Sequence, residues 1–475
     1  MTPSLRISAL FAALWLSLPV AAGNGPTPGQ AALREVFEEL VETNTSLSAG
    51  SCTLAAERMA ARLKKAGMPE SGLHLVVDPA HPREGSLVAQ LRGSNPALRP
   101  MLLLAHIDVV EAKREDWVRD PFTLTEENGF FYARGVADDK AMAAIWVDTL
   151  TRALRGEFTP GREIRMALTC GEETSGAYNG AQHLVDENRQ LIDAAFALNE
   201  GAWGKLDPQG NKLMLSIQAG EKASQNYRLE VTNPGGHSSR PVKDNAIYHL
   251  AGALTKVSAL EFPVQFNDTT RVYFDRMGEI LGGELGSAMK AVVKNPGDAK
   301  ALATAITDPT NNAMLRTTCV ATTLEGGHAT NALPQRARAN VNCRIYPGSS
   351  VEDVRLALQK TIDDPAVTVS TLEIRGPLAK TPPLTPAIMG AVEAVSAKIY
   401  PGVPLVPIFQ AGATDGQFLN AAGIPTYGIS GIFFEHDLGG VHGLDERMRV
   451  RSLYEGRDFL FELVKRLADT PDPLP

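Results

Sequence analysis

The chain has 475 residues, 44% of them apolar and 21% charged, with a formal net charge of −8. That balance is ordinary for a globular protein of two or three domains, with enough apolar mass to build a core without a metal or disulfide staple. No basic block stands out, which argues against a nucleic-acid partner.

The N-terminal stretch differs from the rest. Arg6 precedes an apolar run from Ile7 to Val20 that ends in the small residues VAAG. The run is shorter than the roughly 20 residues of a membrane-spanning helix. The pattern predicts a signal peptide over residues 1–22, cleaved after Ala22, and a periplasmic or secreted protein. No later stretch is long and apolar enough to span a bilayer, so no stable membrane span is expected after its removal.

Residues 31–66 place apolar side chains at helical spacing, and Gly67 is set to end the second of two helices. Strand-like runs follow at LHLVVD, SLVAQL and PMLLLAHI. DKAMAAIWVDTLTRAL then reads as a helix, EIRMALTC as a strand, GAQHLVDENRQLI as a helix and AAFALNEG as a strand. This alternation predicts an α/β domain over 31–222, with a mostly parallel sheet flanked by helices. The pattern changes near residue 222. SQNYRLEVTNPGGHSSRP is strand-like and ends in a Gly-Gly turn, NAIYHLAGALTKVSAL is helical, and 265–312 is polar and helix-leaning. LRTTCVATTLEGG and QRARANVNCRIYPG read as two antiparallel strands. A smaller α+β lid or dimerisation domain is therefore expected at 223–346, with the larger domain resuming over 347–475 and closing on a helix.

The four cysteines, Cys52, Cys170, Cys319 and Cys343, match no zinc-finger spacing. An exported protein can oxidise them. Cys319 and Cys343 lie on the two strands that could pair, and form either a cross-strand disulfide or two buried thiols.

Five places put His, Asp or Glu at the end of an apolar run, beside glycine or a turn. They are HID at 106–108, ARGVADDKAM at 133–142, CGEETSG at 170–176, LNEG at 198–201 and VHGLDER at 441–447. In an open α/β sheet such strand ends face one crevice. Carboxylates gathered there would repel one another unless divalent cations were bound, and mixed imidazole and carboxylate donors suit zinc or its first-row neighbours.

These motifs, with DPF, GGHSSRP, TNALPQRA, NCRIYPG and GATDGQF in the same order, resemble the di-zinc aminoacylase and carboxypeptidase family. That family includes succinyl-diaminopimelate desuccinylase, acetylornithine deacetylase, carboxypeptidase G and carnosinase. The resemblance runs from about residue 31 to 470, and NEG with the long helical insertion looks most like the Gly-X carboxypeptidase and N-acyl-amino-acid hydrolase branch. It implies a zinc exopeptidase-like fold whose larger domain is catalytic. It also implies two Zn2+ per subunit, with Co2+ or Mn2+ acceptable to the same donors. One ion would take His106, Asp138 and Glu200, the other Asp138, Glu173 and His442, with Asp138 bridging and Asp139 capping the following helix. Asp108 would orient His106 from behind, and Glu172 would be the general base for a metal-activated water. His237 would reach in from the smaller domain, often that of a neighbouring subunit, to hold the oxyanion. Arg344 would grip a substrate carboxylate, helped by Asn331, while Gly412 and Thr414 would present a ligand-binding loop held by Asp415.

The implied substrate is a small peptide or N-acyl amino acid, and a homodimer through the lid domain is expected. A non-catalytic metal-binding or scaffold relative would lack ligands or base, and this chain has the full set. A serine hydrolase is disfavoured because no G-x-S-x-G elbow occurs, and HExxH is absent as well.

Overall fold

The computed structural model describes residues 26–174, 178–374 and 376–470. The signal peptide expected at 1–22 and residues 175–176 of the GEETSG motif lie outside the described residues. Thr27 caps the first helix, Pro28–Glu42, in a reciprocal box with Gln30, and Ser51 caps the second, Cys52–Lys65. Their buried faces repeat every three to four residues, through Leu33, Phe37 and Leu40 in one and Ala55, Met59 and Leu63 in the other.

The larger sheet has ten strands among the described residues. Its centre is parallel: Ile164–Thr169, Met101–His106, Phe196–Asn199 and Thr426–Gly428 lie side by side. Met101–His106 is buried at every position, as a parallel strand covered on both faces should be. The helix Lys140–Leu154 crosses it, buried without a break from Lys140 to Leu150, and the Trp146 indole donates to the Leu104 carbonyl at 3.0 Å. The first helix and the C-terminal helix Val450–Ala468 pack outside that one. Because the central strands are parallel and in register, His106, Thr169 and Asn199 end at one edge. Each motif then turns off that edge.

The smaller sheet is antiparallel, in the order Thr318–Gly326, Arg336–Ile345, Ala223–Thr232, Thr368–Ile374. Alternation decides its faces. Tyr227, Leu229, Val341 and Cys343 turn inward against the helices Ala246–Ser258 and Val351–Ile362, and polar residues occupy the other face.

Two stretches pack differently from the expected boundaries. The helix Val351–Ile362 and the strand Thr368–Ile374 belong to the smaller sheet, because Val354, Leu358, Ile362 and Val367 bury against Tyr227 and Leu229. The chain rejoins the larger unit only with the helix Pro386–Ile399, not at 347. Conversely, the helices between Asp268 and Leu315 do not join the lid. Phe274 and Met289 bury against Met214, Val406 and Ile408 of the larger sheet.

All four cysteines are bonded. Cys319–Cys343 links directly paired strands. Cys52–Cys170, which spacing did not suggest, ties the start of the second helix to the residue before Gly171 and Glu172.

One buried ion pair joins distant parts of the chain. Arg134 donates to Glu446 at 2.7 Å, and both are buried. The Glu446 carboxylate also accepts the backbone N–H groups of Gly135 (3.1 Å), Ala137 (2.9 Å) and Asp138 (3.3 Å). Arg134 reaches the Gly443 carbonyl at 2.9 Å, next to His442.

Removing one partner of a buried pair leaves an uncompensated charge, so Glu446→Ala is expected to cost about 3–5 kcal/mol of stability. Urea unfolding would measure it, and an unchanged midpoint would mean the pair holds nothing. Replacing Cys52 and Cys170 together by serine is expected to cost about 2–5 kcal/mol, read as a drop in thermal midpoint.

Candidate active site

The site is assembled at the carboxyl edge of the central strands. His106 closes its strand with the imidazole almost fully buried. Its Nε2 lies 2.9 Å from Asp138 Oδ1, and on the other side His442 Nε2 lies 3.3 Å from Asp138 Oδ2. His442 Nε2 is also 3.0 Å from Glu173 Oε1. His106, Asp138 and Glu173 offer donor atoms that all lie within 4.8 Å of one another. The group can hold a metal ion.

Asp108 does more than expected. The nearest contact of His106 Nδ1 is the Asp108 carbonyl at 3.1 Å, with the carboxylate at 3.6 Å. The two carboxylate oxygens instead accept the backbone N–H groups of Glu172 (3.3 Å) and Glu173 (3.0 Å). Asp108 therefore backs the histidine and pins the loop bearing both glutamates.

Asp139 stands at the N-cap position of Lys140–Leu154 but makes no capping hydrogen bond. Its buried Oδ2 has no partner among the described residues. The expected capping role is thus corrected: the carboxyl makes no hydrogen bond to the helix N–H groups, and burial pushes it well above its usual value.

The electrostatics are those of crowded carboxylates. Burial raises the Glu172 carboxyl well above its usual value, and the charges of Glu200, Asp415 and Glu173 add to this. Glu200 is raised in the same way, by burial first and then by Asp138 and Asp139. Glu200 shares this field but does not join the tight group of three donors. Burial also opposes charge on Asp138, yet hydrogen bonds from His106 and His442 hold it well below the usual carboxylate range. Asp138 and Glu173 together hold His442 up at about 10. A set of like charges kept close by burial fits the binding of divalent cations.

These acids open onto a cleft of about 870 Å3. Glu172, Glu173, His442 and Gly412 line one side, and Asn340, Asn342 and Arg344 on the smaller sheet line the other. Arg344 is half-buried and has no side-chain hydrogen bond or ion pair among the described residues. Gly412 lines the cleft, whereas Thr414 does not. Thr414 is buried, its N–H and hydroxyl reach Glu221 at 2.8 and 3.1 Å, and Asn199 donates to its Oγ1. It braces the loop from behind and does not line the cleft. Asp415 holds the loop through Thr169 (2.9 Å) and Asn179 (2.7 Å).

His237 and Asn331 are not brought to the cleft within one chain. The strands Gly236–His237 and Ala332–Leu333 form a two-stranded ribbon. His237 is exposed on it and takes the Ser239 backbone N–H at 3.2 Å. Asn331 is exposed beside it, and neither lines the cleft.

Glu446 and Glu221 are functional supports that sequence reasoning missed. Glu446 was readable as the acid four residues after His442 in HGLDER, whereas Glu221 sits in a plain strand with no local signal. Asn340 and Asn342 were readable as the alternate positions leading to Arg344.

Residues 102–466 match the model of peptidase family M20/M25/M40. The chain is 30% identical to human N-fatty-acyl-amino acid synthase/hydrolase PM20D1 over 400 residues, covering 82% of this chain and 78% of that protein. It is 26% identical to mouse aminoacylase-1, covering 80% of this chain and 82% of that one. The M20 family metallo-carboxypeptidase Sso-CP2 from Sulfolobus solfataricus shares the fold, with a TM-score of 0.68 at 18% identity over 92% of this chain and 99% of that one. The chain belongs to peptidase family M20/M25/M40, as a hydrolase of amide bonds.

Proposed function

We propose that the chain is an exported two-metal hydrolase that releases an amino acid from a small peptide or an N-acyl amino acid. The observation that carries this reading is Asp138, whose two oxygens each face a different imidazole, as a carboxylate shared between two cations would. His106, Asp138 and Glu200 would hold one ion, and Asp138, Glu173 and His442 the other. Zinc suits these donors, and cobalt or manganese would be accepted by them. When bound, the cations lower the pKa of water and polarise the amide carbonyl.

The chain's own residues do the rest. Glu172 takes the proton of the attacking water and delivers it to the departing amine nitrogen. Asp108 keeps Glu172 and Glu173 in place through their N–H groups. Arg344, on the cleft wall and without a side-chain partner among the described residues, receives the substrate's free carboxylate in a forked contact, which favours release of a C-terminal residue.

Two features support the parts of the reading that concern export and assembly. Both disulfides fit an oxidising compartment, in keeping with a signal peptide at 1–22. No helix among the described residues is long and apolar enough to cross a membrane. The strand Thr318–Gly326 is an exposed sheet edge with Val320 60% and Leu324 66% exposed, and Tyr248 on the neighbouring helix is 67% exposed. Such an edge suits pairing with a second copy. In that dimer His237 would serve the partner's cleft, where its imidazole would donate to the carbonyl oxygen.

Glu172→Gln is expected to keep bound metal and lower kcat by at least about 100-fold, within the range for a general base. His106→Ala is expected to lower both metal stoichiometry and rate, and chelator should abolish amino-acid release. Normal turnover by the glutamine variant would remove Glu172 from its role. Mixing His237→Ala with Glu172→Gln tests assembly. Each variant alone should be inactive, and the mixture should regain activity if His237 acts across a dimer. A monomeric mass with no recovery would place it in its own chain.

A further inference from the structure

One wall of the cleft has a chemistry that the hydrolytic machinery does not use. On the strand Arg336–Ile345, Val341, Cys343 and Ile345 turn into the core, so Asn340, Asn342 and Arg344 turn out together. On the paired strand Ala223–Thr232, Tyr227 turns in, and Ser224 and Asn226 turn out. Register sets Ser224 opposite Arg344 and Asn226 opposite Asn342.

The outward amides are bonded into a ladder. Asn226 Oδ1 accepts from Asn340 at 3.1 Å and from Asn342 at 3.0 Å. Asn340 also donates to Thr322 at 2.6 Å, and Asn342 to Ser224 at 3.3 Å. These bonds fix the amide planes. They leave the Asn340 and Asn342 carbonyl oxygens and the Asn226 amino group without partners among the described residues.

The ladder does not end at the cleft. Asn226 and Asn340 also line an adjoining depression of about 380 Å3, together with Arg228, Thr323, Glu325 and Arg338. A continuous polar track therefore runs from Arg344, past the amides, to a charged depression on the same sheet face.

We propose that this track is a substrate subsite for an extended, amide-bearing arm, so that the preferred substrates are short peptides rather than amino acids carrying a long alkyl acyl chain. The proposal rests on the hydrolytic reading above and deepens it. An alkyl chain laid here would strip water from the amides and offer no hydrogen bonds in return. A peptide arm presents N–H and C=O groups at a repeat close to that of the ladder itself. Sites built from fixed polar groups discriminate strongly against chains that leave them unpaired.

The test uses two substrates with the same leaving residue, N-acetyl-glycyl-glycyl-phenylalanine and N-dodecanoyl-phenylalanine, with the metal-loaded full protein. The peptide arm is expected to give a kcat/KM at least roughly tenfold higher. Asn340→Leu and Asn342→Leu should each shift that ratio toward the alkyl substrate, while Asn340→Ser should keep it near wild type. Both positions lie on the solvent-facing side of the sheet, and thermal melts would show that the variants fold. A preference for the dodecanoyl substrate, or a ratio that neither leucine variant moves, would overturn the subsite and leave the hydrolase standing. Hydrolysis of neither substrate would overturn both.

Discussion

The buried carboxylate of Glu446 is the constraint on which the site depends. It gathers three N–H groups of one loop, those of Gly135, Ala137 and Asp138, and neutralises Arg134. Arg134 in turn holds the carbonyl next to His442. The Asp138 carboxylate and the His442 imidazole, far apart in the sequence, are thereby fixed against each other. Loops of this kind carry backbone groups that must be satisfied once buried, and a single carboxylate does so for one of them.

A second support lies under the other half of the cluster. Asp108 holds the Glu172–Glu173 loop by its N–H groups, and the Cys52–Cys170 bond anchors the residue two positions before Glu172. The glutamates therefore stand close to Asp138 and Glu200 although the carboxylates repel one another, with His442 offsetting part of that charge at Glu173. Preorganised donors of this sort do not have to rearrange when a cation or a transition state appears. The loop of Gly412 is braced independently, by Glu221 on Thr414 and by Thr169 and Asn179 on Asp415.

The cleft divides its labour between two sheets. The larger one brings His106, the Glu172–Glu173 loop and Glu200 from its strand ends, while Asp138 and His442 come from loops beside a small three-stranded sheet, Phe130–Tyr132 among its strands. The smaller one contributes a flat wall whose alternate residues face the same way, which is suited to reading an extended chain rather than to chemistry. Val341, Cys343 and Ile345 are tied to the core, whereas Asn340 and Asn342 are not.

Much was legible in the residues alone. The runs ending in His106, Glu172 and Glu200 are read as strands because their apolar residues are continuous, and the acids are noticed because they interrupt that continuity. The alternation of strand and helix before residue 222 determines a mostly parallel sheet, since local periodicity and connection length are properties of the sequence itself. Partnerships across hundreds of residues are not. Nothing near Cys52 names Cys170, nothing near Thr414 names Glu221, and the helices from Asp268 to Leu315 carry an apolar face that could suit either sheet. Only the tertiary structure decided which surface buried that face, that the helix Val351–Ile362 stays with the smaller sheet, and that His237 and Asn331 stand on an exposed ribbon away from their own chain's cleft. The physical reason is common to all of these. A side chain's neighbours along the chain set its local conformation, but burial is won by whichever distant surface it fits, and that competition is settled only when the whole chain packs.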